Sequence, residues 1–273
     1  MSTHAEATQE AAVTAGIANL LGVVADNKYR LGRWLSQWAV GAPGLESAVA
    51  AAGIAQGHLG QARTLYPLVD DLLDGGFASP DEGRTRQYNM RALDEPFETW
   101  GQAVATMYLV DPALDVVLRA VEPPGDELGR RLTRVLDESR YNADFARGRL
   151  IELTTRWEHG RSHLTGHLRT VVPEVLCWFG PDDEEGVVTL CAAGVLRSDG
   201  PAMRAAGLDV VAPPLLEHGY DVGIAGEPGA WTYEELPWQD WNPLQRRLET
   251  MTGRAARGAA TATWNRSRRM VRC

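Results

Sequence analysis

Apolar residues recur every three to four positions through several long stretches of this chain, a spacing typical of amphipathic α-helices. Such stretches cover residues 13–40, 45–73, 98–121, 126–159 and 161–179, and Gly- or Pro-rich segments separate them. In the first stretch the apolar stripe comprises Ile17, Leu20, Leu21, Val24, Leu31, Leu35 and Trp38. Long helices with short or moderate connections are what an antiparallel bundle requires. The sequence therefore predicts an all-α, four-helix bundle.

The region from Gly180 onward lacks this regularity and is rich in proline. It predicts extra helices and an irregular C-terminal wrap on the bundle, with strand-like alternation only at residues 186–196 and 208–212. A cluster of aromatic residues either anchors this region to the core or forms a docking surface for a partner: Trp231, Tyr233, Trp238 and Trp241.

Charge is distributed unevenly along the chain. The formal net charge is −9, yet residues 246–273 carry eight arginines and one glutamate. The acidic remainder argues against nucleic acid as a partner. We expect a disordered leader at residues 1–12, a helical domain at residues 13–245 and a basic tail at residues 246–273, which is either a loosely ordered end or a site for an acidic partner or a phosphate.

Compartment and membrane association are inferred from composition. No run of about eighteen apolar residues occurs, which argues against a membrane partner. The polar, acidic residues 1–10 lack the layout of a secretory signal. The three cysteines are widely separated and form no disulfide framework or metal pair, so we expect a cytoplasmic location.

Several segments, in their order along the chain, carry a resemblance to one family. Five of them resemble the structural (C-type) subunit of bacterial phenylacetyl-CoA epoxidase, a ferritin-like protein of phenylacetate catabolism. Its first bundle helix is similar to Ala25-Asp26-Asn27, Leu31-Gly32 and Leu35-Ser36-Gln37-Trp38. Its second is similar to Leu59-Gly60-Gln61-Ala62-Arg63, and its fourth to Glu138-Ser139-Arg140-Tyr141-Asn142. The catalytic (A-type) subunit is similar to Leu109-Val110-Asp111, Trp178-Phe179-Gly180-Pro181-Asp182-Asp183 and Leu236-Pro237-Trp238-Gln239-Asp240-Trp241. The resemblance spans about residues 20–245.

A di-iron site in such a bundle takes a carboxylate from each of two helices and Glu-x-x-His from each of the other two. Glu-x-x-His occurs nowhere in this chain. The resemblance places the former ligand positions, helix by helix, at Gln37, at His58 and Gln61, at Asp111, and at Ser139 and Asn142. Glutamine, asparagine and serine are neutral and cannot offset the charge of two irons, so we expect no metal and no cofactor. These side chains could instead form a polar network with Asp111.

Two functions are consistent with the sequence. The resemblance implies a non-catalytic helical subunit of a multicomponent oxygenase, with a degraded di-iron site, whose partner is a homologous helical subunit or a second copy of itself and whose ligand is an aryl-CoA or another aromatic molecule. The alternative is a stand-alone, iron-independent enzyme in which Asp111 and His58 act as an acid–base pair on an aromatic or specialised-metabolite substrate. His58 is otherwise a hydrogen-bonded structural histidine.

Three further clusters each have a functional and a structural interpretation. His159, His163 and His167 recur every four residues, as zinc ligands or as a solvated helix face. Arg140 and Tyr141 either hold a substrate anion or, for the arginine, pair with a neighbouring acid. The acidic run at residues 182–185 is a solvated loop or a site for a hard cation.

Overall fold

The computed structural model of the chain describes residues 2–73, 88–122, 125–156 and 158–249. Most of the segment between the predicted helices 45–73 and 98–121, and the predicted basic tail beyond residue 249, lie outside the described residues.

Four long helices form the bundle. Helix α1 (Ser2–Leu35) is joined through the short α2 (Trp38–Gly41) to α3 (Leu45–Leu72), and α4 (Trp100–Ala120) is followed closely by α5 (Asp126–Arg156). Helix α1 packs along α3 and α4 packs along α5, while contacts of α1 with α4 and of α3 with α5 close the bundle. The predicted all-α, ferritin-like architecture is confirmed.

The remaining helices cover the bundle on one side. Helices α6 (Glu158–Trp178) and α8 (Gly200–Glu217) pack on α4, and α7 (Glu185–Ala192) packs on α1. Consequently nearly every side chain of α4 is buried, and buried apolar side chains occur on all of its faces. Because α4 is enclosed on all sides, any polar residue on it needs a partner inside the protein.

Three predicted element types or boundaries are wrong. Helix α1 already begins at Ser2, in place of a disordered leader over residues 1–12, and it ends at Leu35 before the short α2. Residues 186–196 and 208–212 fall largely in α7 and α8, not in strands. In α7 the buried Val187 and Leu190 are three residues apart, which is helical spacing.

The strands of the described residues belong to two small hairpins in the C-terminal wrap. Strand β1 (Ile224–Ala225) pairs antiparallel with β2 (Thr232–Tyr233), and β3 (Trp241–Asn242) pairs antiparallel with β4 (Arg247–Leu248). Leu248 is fully buried, so the second hairpin is part of the folded body. Residues 246–249 therefore do not belong to a loosely ordered tail. No described helix has the length and apolar character needed to cross a membrane.

Close approach of α1 and α3 depends on Gly32. A Cβ atom at this position would lie 2.9 Å from the carbonyl oxygen of Ala55 and 3.1 Å from the Cβ of His58. The first of these contacts is to backbone, which cannot move without shifting α3. The glycine thus sets the spacing between the two helices next to the buried polar side chains described below.

We expect Gly32→Ala to lower the free energy of unfolding by about 1–3 kcal/mol, because an added methyl overpacks the contact between α1 and α3. Gly53→Ala on α3 is the matched control: no atom lies within 4 Å of its would-be Cβ, so it should stabilise the helix by up to about 1 kcal/mol. Urea unfolding of both variants measures the effect. Equal changes in the two variants would contradict this account of Gly32.

Candidate functional site at the bundle centre

A single ammonium group occupies the centre of the bundle. Lys28 of α1 is the only lysine in the chain, and its side chain is completely buried. Its Nζ donates hydrogen bonds to Asp111 Oδ1 at 2.9 Å, to Asp115 Oδ1 at 3.1 Å and to Ser139 Oγ at 3.2 Å. An ammonium has three N–H donors, so these three acceptors satisfy it fully. A compact ammonium suits three converging acceptors better than the planar fork of an arginine.

The other bundle helices supply pairs of side chains one turn apart. Buried polar residues come from α3, α4 and α5: His58 and Gln61, Asp111 and Asp115, and Ser139 and Asn142. Residues three or four positions apart share a helix face, so both members of each pair reach the centre. With Lys28 they form what we call the central cluster.

Hydrogen bonds within the central cluster link α3 to α5. The hydroxyl of Ser139 donates to Gln61 Oε1 at 3.5 Å, and Gln61 Nε2 donates to the carbonyl oxygen of Val135 at 3.4 Å. His58 Nδ1 lies 3.7 Å from Asp111 Oδ1, which is beyond hydrogen-bonding distance. The histidine therefore lies beside the Lys28–Asp111 pair without a direct hydrogen bond to it.

The two carboxylates of the central cluster have pKa values shifted in opposite directions. Burial by itself raises the pKa of Asp111, but the Lys28 ammonium outweighs it and holds the pKa below the ordinary range. Burial raises the pKa of Asp115 to about 6. Burial also opposes the charge on Lys28, yet the two carboxylates raise its pKa above the ordinary value. Lys28 and Asp111 thus form a permanent ion pair at neutral pH, while Asp115 titrates.

His58 is held in its neutral form. Burial lowers its pKa to about 4, although the Asp111 carboxylate works in the opposite direction. Both ring nitrogens of His58, Asp111 Oδ2 and Asn142 Nδ2 lie outside good hydrogen-bonding geometry with the described residues, although Gln61 beside His58 raises the pKa of the histidine and Asn142 lowers the pKa of Asp111. Unpaired buried polar atoms are uncommon in folded proteins, so the cluster has spare donor and acceptor capacity near Asp111 and Asn142.

Because the pKa of Asp115 is raised, the free energy of unfolding depends on pH, and the Asp115→Asn variant isolates this dependence. The folded state favours the protonated carboxyl, so this contribution to stability is fully present below about pH 4 and is lost as the pH rises through about 6. We expect the difference in unfolding free energy between wild type and Asp115→Asn to change by on the order of 2 kcal/mol across this window. Urea titrations from pH 4 to pH 7 measure it, and parallel pH profiles would contradict it.

Five of the six residues predicted for the site lie in the central cluster: Asp111, His58, Gln61, Ser139 and Asn142. Gln37 does not. It is exposed just before α2, because α1 ends at Leu35 and the chain turns away from the bundle centre. The residue of α1 that reaches the bundle centre is Lys28.

Lys28 and Asp115 were not predicted as site residues from the sequence, although the position of each in the helical pattern indicates that it is buried. Lys28 falls on the apolar stripe of α1, seven residues after Leu21 and seven before Leu35, where a charge must be buried with the stripe. It is also a solitary lysine in a chain that otherwise uses arginine. Asp115 follows Asp111 by one helical turn on a helix with no solvent-exposed face.

The other predicted clusters do not assemble into sites. His163 is exposed and His167 contacts Thr106 Oγ1 through Nε2 at 2.9 Å, whereas the side chain of His159 lies outside the described residues. Arg140 and Tyr141 face solvent, the tyrosine with 82% of its surface exposed. In the part of the chain that the structure describes, no group of three or more His, Cys, Asp or Glu side chains is arranged to hold a metal ion.

A second buried network fastens the C-terminal hairpin to the bundle. Asn89 Oδ1 accepts hydrogen bonds from Asn27 Nδ2 at 2.9 Å and from Trp178 Nε1 at 2.7 Å. Asn89 Nδ2 donates to the carbonyl oxygens of Gln245 at 3.3 Å and Arg246 at 3.1 Å. One amide side chain therefore connects α1, α6 and the β3–β4 turn.

Arginines at the hairpin add ion pairs to this network. Arg246 pairs with Glu184, and Arg247 pairs with Asp94. Asn27, the residue before Lys28 on α1, also accepts a hydrogen bond through its Oδ1 from the backbone N–H of Met90 at 3.1 Å. The C-terminal hairpin is thereby coupled to the segment of α1 that carries the central cluster.

Comparison with known proteins assigns the chain to a family. No curated protein shows significant sequence similarity to it. A family model described as phenylacetic acid catabolic protein matches residues 1–264, nearly the whole chain. The helical bundle of this protein agrees with the match. The chain belongs to the phenylacetic acid catabolic protein family.

Proposed function

We propose that this protein is a non-catalytic helical subunit of a phenylacetyl-CoA-epoxidase-like multicomponent oxygenase. The observation that carries the proposal is Lys28, whose ammonium hydrogen-bonds both Asp111 and Asp115 at the bundle centre. Paired irons require several anionic carboxylates and imidazoles around them. Here both carboxylates already accept a hydrogen bond from a side-chain ammonium of the protein, whose charge balances one of them.

The donor set of the central cluster does not fit a di-iron centre. Gln61, Ser139 and Asn142 contribute no charge, and His58 contributes one neutral imidazole. A metal ion entering beside Lys28 would meet a like charge in a medium of low dielectric constant, where repulsion is strong. We therefore propose that the site is degraded and that the bundle is stabilised without iron.

Burial of the central cluster also supports a scaffolding role. Lys28, His58, Gln61 and Ser139 have no solvent-accessible surface, so a substrate would have to open the bundle to reach them. A subunit with a permanently closed centre contributes to an oxygenase by binding a sister chain. We propose that this partner is a homologous helical subunit with intact Glu-x-x-His motifs, and that the aromatic substrate binds to that partner.

Co-expression with an A-type catalytic subunit tests the proposal. We expect a stable complex in size-exclusion chromatography and native mass spectrometry. Elemental analysis should find iron in the complex and far less than one iron per chain in this protein purified alone. Two irons per chain in the isolated protein, or failure to associate with any A-type subunit, would refute the proposal.

A second candidate function rests on the unpaired atoms of the cluster. His58 lies beside Asp111 with neither ring nitrogen in good hydrogen-bonding geometry, an arrangement that an acid–base enzyme could use on an organic substrate. Asp111→Asn separates the two functions. The subunit proposal expects this variant to retain complex formation, whereas the enzyme proposal expects the isolated chain to turn over a substrate and Asp111→Asn to abolish that turnover.

A further inference from the structure

A cavity in the C-terminal wrap has no part in the proposed function. It has a volume of about 350 Å³ and lies between α6, α8 and the residues around β2. Three half-buried aromatic rings line it, those of Trp231, Tyr233 and Trp238. Leu176 and Leu208 contribute apolar surface. A cavity of this size accommodates a small molecule or one long side chain.

The charged groups that line the cavity differ in their pairing. The Arg204 guanidinium is paired with Asp182, donates to the carbonyl oxygen of Gly180 and lies over the Trp238 ring at 5.2 Å from its centroid. Glu234 is exposed and makes no direct ion pair among the described residues, although it interacts electrostatically with Arg169, which is itself paired with Asp221. Of the two lining charges, the Glu234 carboxylate is therefore the one without a direct ion pair.

The chain segment that supplies most of the cavity lining is acidic, although Arg169 and Arg246 from outside it pair with Asp221 and Glu184. Residues 181–240, all of them described, contain twelve Asp or Glu residues and two arginines. Such an excess produces a negative potential that attracts cations to a concave surface. Aromatic rings reinforce this preference, because their faces attract ammonium and guanidinium groups. Arg204 on Trp238 is an intramolecular example of that contact within the same cavity.

From these observations we infer that the cavity binds an organic cation, an ammonium or guanidinium group on an apolar stem, held by Glu234 and the rings of Trp231 and Tyr233. The stem would lie against Leu176 and Leu208. The cation is either a free small amine or the side chain of a lysine or arginine from a partner chain, and both present the same chemistry to the site. This inference is independent of the proposed subunit function.

Titration calorimetry of the full chain with choline and with its neutral isostere 3,3-dimethylbutan-1-ol tests the charge requirement. Choline should bind at least tenfold more tightly than the isostere, since only the cation gains the carboxylate and ring attraction. The amide of Nα-acetyl-lysine, titrated in parallel, distinguishes the sources: tighter binding than choline indicates a partner's side chain, and weaker binding indicates a free amine.

Variants localise the binding. Glu234→Gln should weaken choline binding about tenfold, whereas Glu235→Gln, a matched change at the exposed neighbouring residue, should leave it within about twofold. Trp231→Leu should weaken binding while circular dichroism shows an intact fold. Equal affinity for the isostere, equal effects of the two glutamine variants, or no cation binding at millimolar concentrations would overturn the inference.

Discussion

Lys28→Met should lower the free energy of unfolding by about 3–5 kcal/mol, the cost of leaving a buried charge without its partner. The ammonium is the only ion-pair partner of Asp111 and Asp115 among the described residues, His58 being neutral. Without it, both carboxylates would lie in the core with fewer hydrogen bonds. Urea or thermal unfolding at pH 7 measures the loss.

Two further variants test whether the loss of stability comes from the uncompensated buried charges. Arg33→Met removes an exposed charge from the same helix and should change stability by no more than about 0.5 kcal/mol. Adding Asp111→Asn and Asp115→Asn to Lys28→Met removes the uncompensated charges and should restore much of the loss. If Lys28→Met costs less than about 1 kcal/mol, the ammonium does not hold the bundle centre together, and the main support for the subunit proposal disappears with it.

The solitary lysine also offers a chemical probe of the same site. Amine-acylating reagents should leave Lys28 of the native protein unmodified, because the ammonium is fully buried and charged. Modification of Lys28 should begin only when denaturant opens the bundle. Peptide mass spectrometry after brief labelling reads this directly, and rapid labelling of the native protein would show that the centre opens to solvent.

Asn89→Ala should lower the free energy of unfolding by about 2–4 kcal/mol, because it leaves buried donors of Asn27 and Trp178 without an acceptor. It also removes both hydrogen bonds from this side chain to the β3–β4 turn. Faster amide exchange should therefore accompany the loss of stability and be concentrated in residues 241–249, while α3 remains protected.

The control for this variant is Asn19→Ala, which truncates an exposed asparagine on α1 and should be nearly neutral. If Asn89→Ala destabilises the whole chain without selectively opening the hairpin, Asn89 serves the core alone. If exchange in residues 241–249 is unchanged, the ion pairs of Arg246 and Arg247 are sufficient to hold the hairpin.

Some features of the site could be predicted from local patterns. Pairs such as His58–Gln61 and Ser139–Asn142 lie one helical turn apart, so a common facing direction follows from helix geometry alone. The register of Gln37 could not be predicted in this way. Lys28 and Gln37 lie nine residues apart, which is about 13 Å along a helix and on opposite faces, so at most one of them can reach the centre, and the packing of α1 against the other helices decides which.

The C-terminal wrap was the least predictable region. Val187 and Leu190 are consistent with either a strand or a helix when only a short window is read, and packing of α7 against α1 selects the helix. The fastening of the β3–β4 hairpin depends on Asn89, more than 150 positions away in the sequence. Nothing local to residues 241–249 encodes such a contact.

The sequence by itself determined the helical class, the extent of α3 and the scarcity of iron ligands, because periodicity and residue chemistry are local properties. Only the tertiary structure decided that Lys28 lies between Asp111, Asp115 and Ser139. That grouping joins three helices, and a buried charge finds its partners through packing of the whole bundle rather than through spacing along one helix.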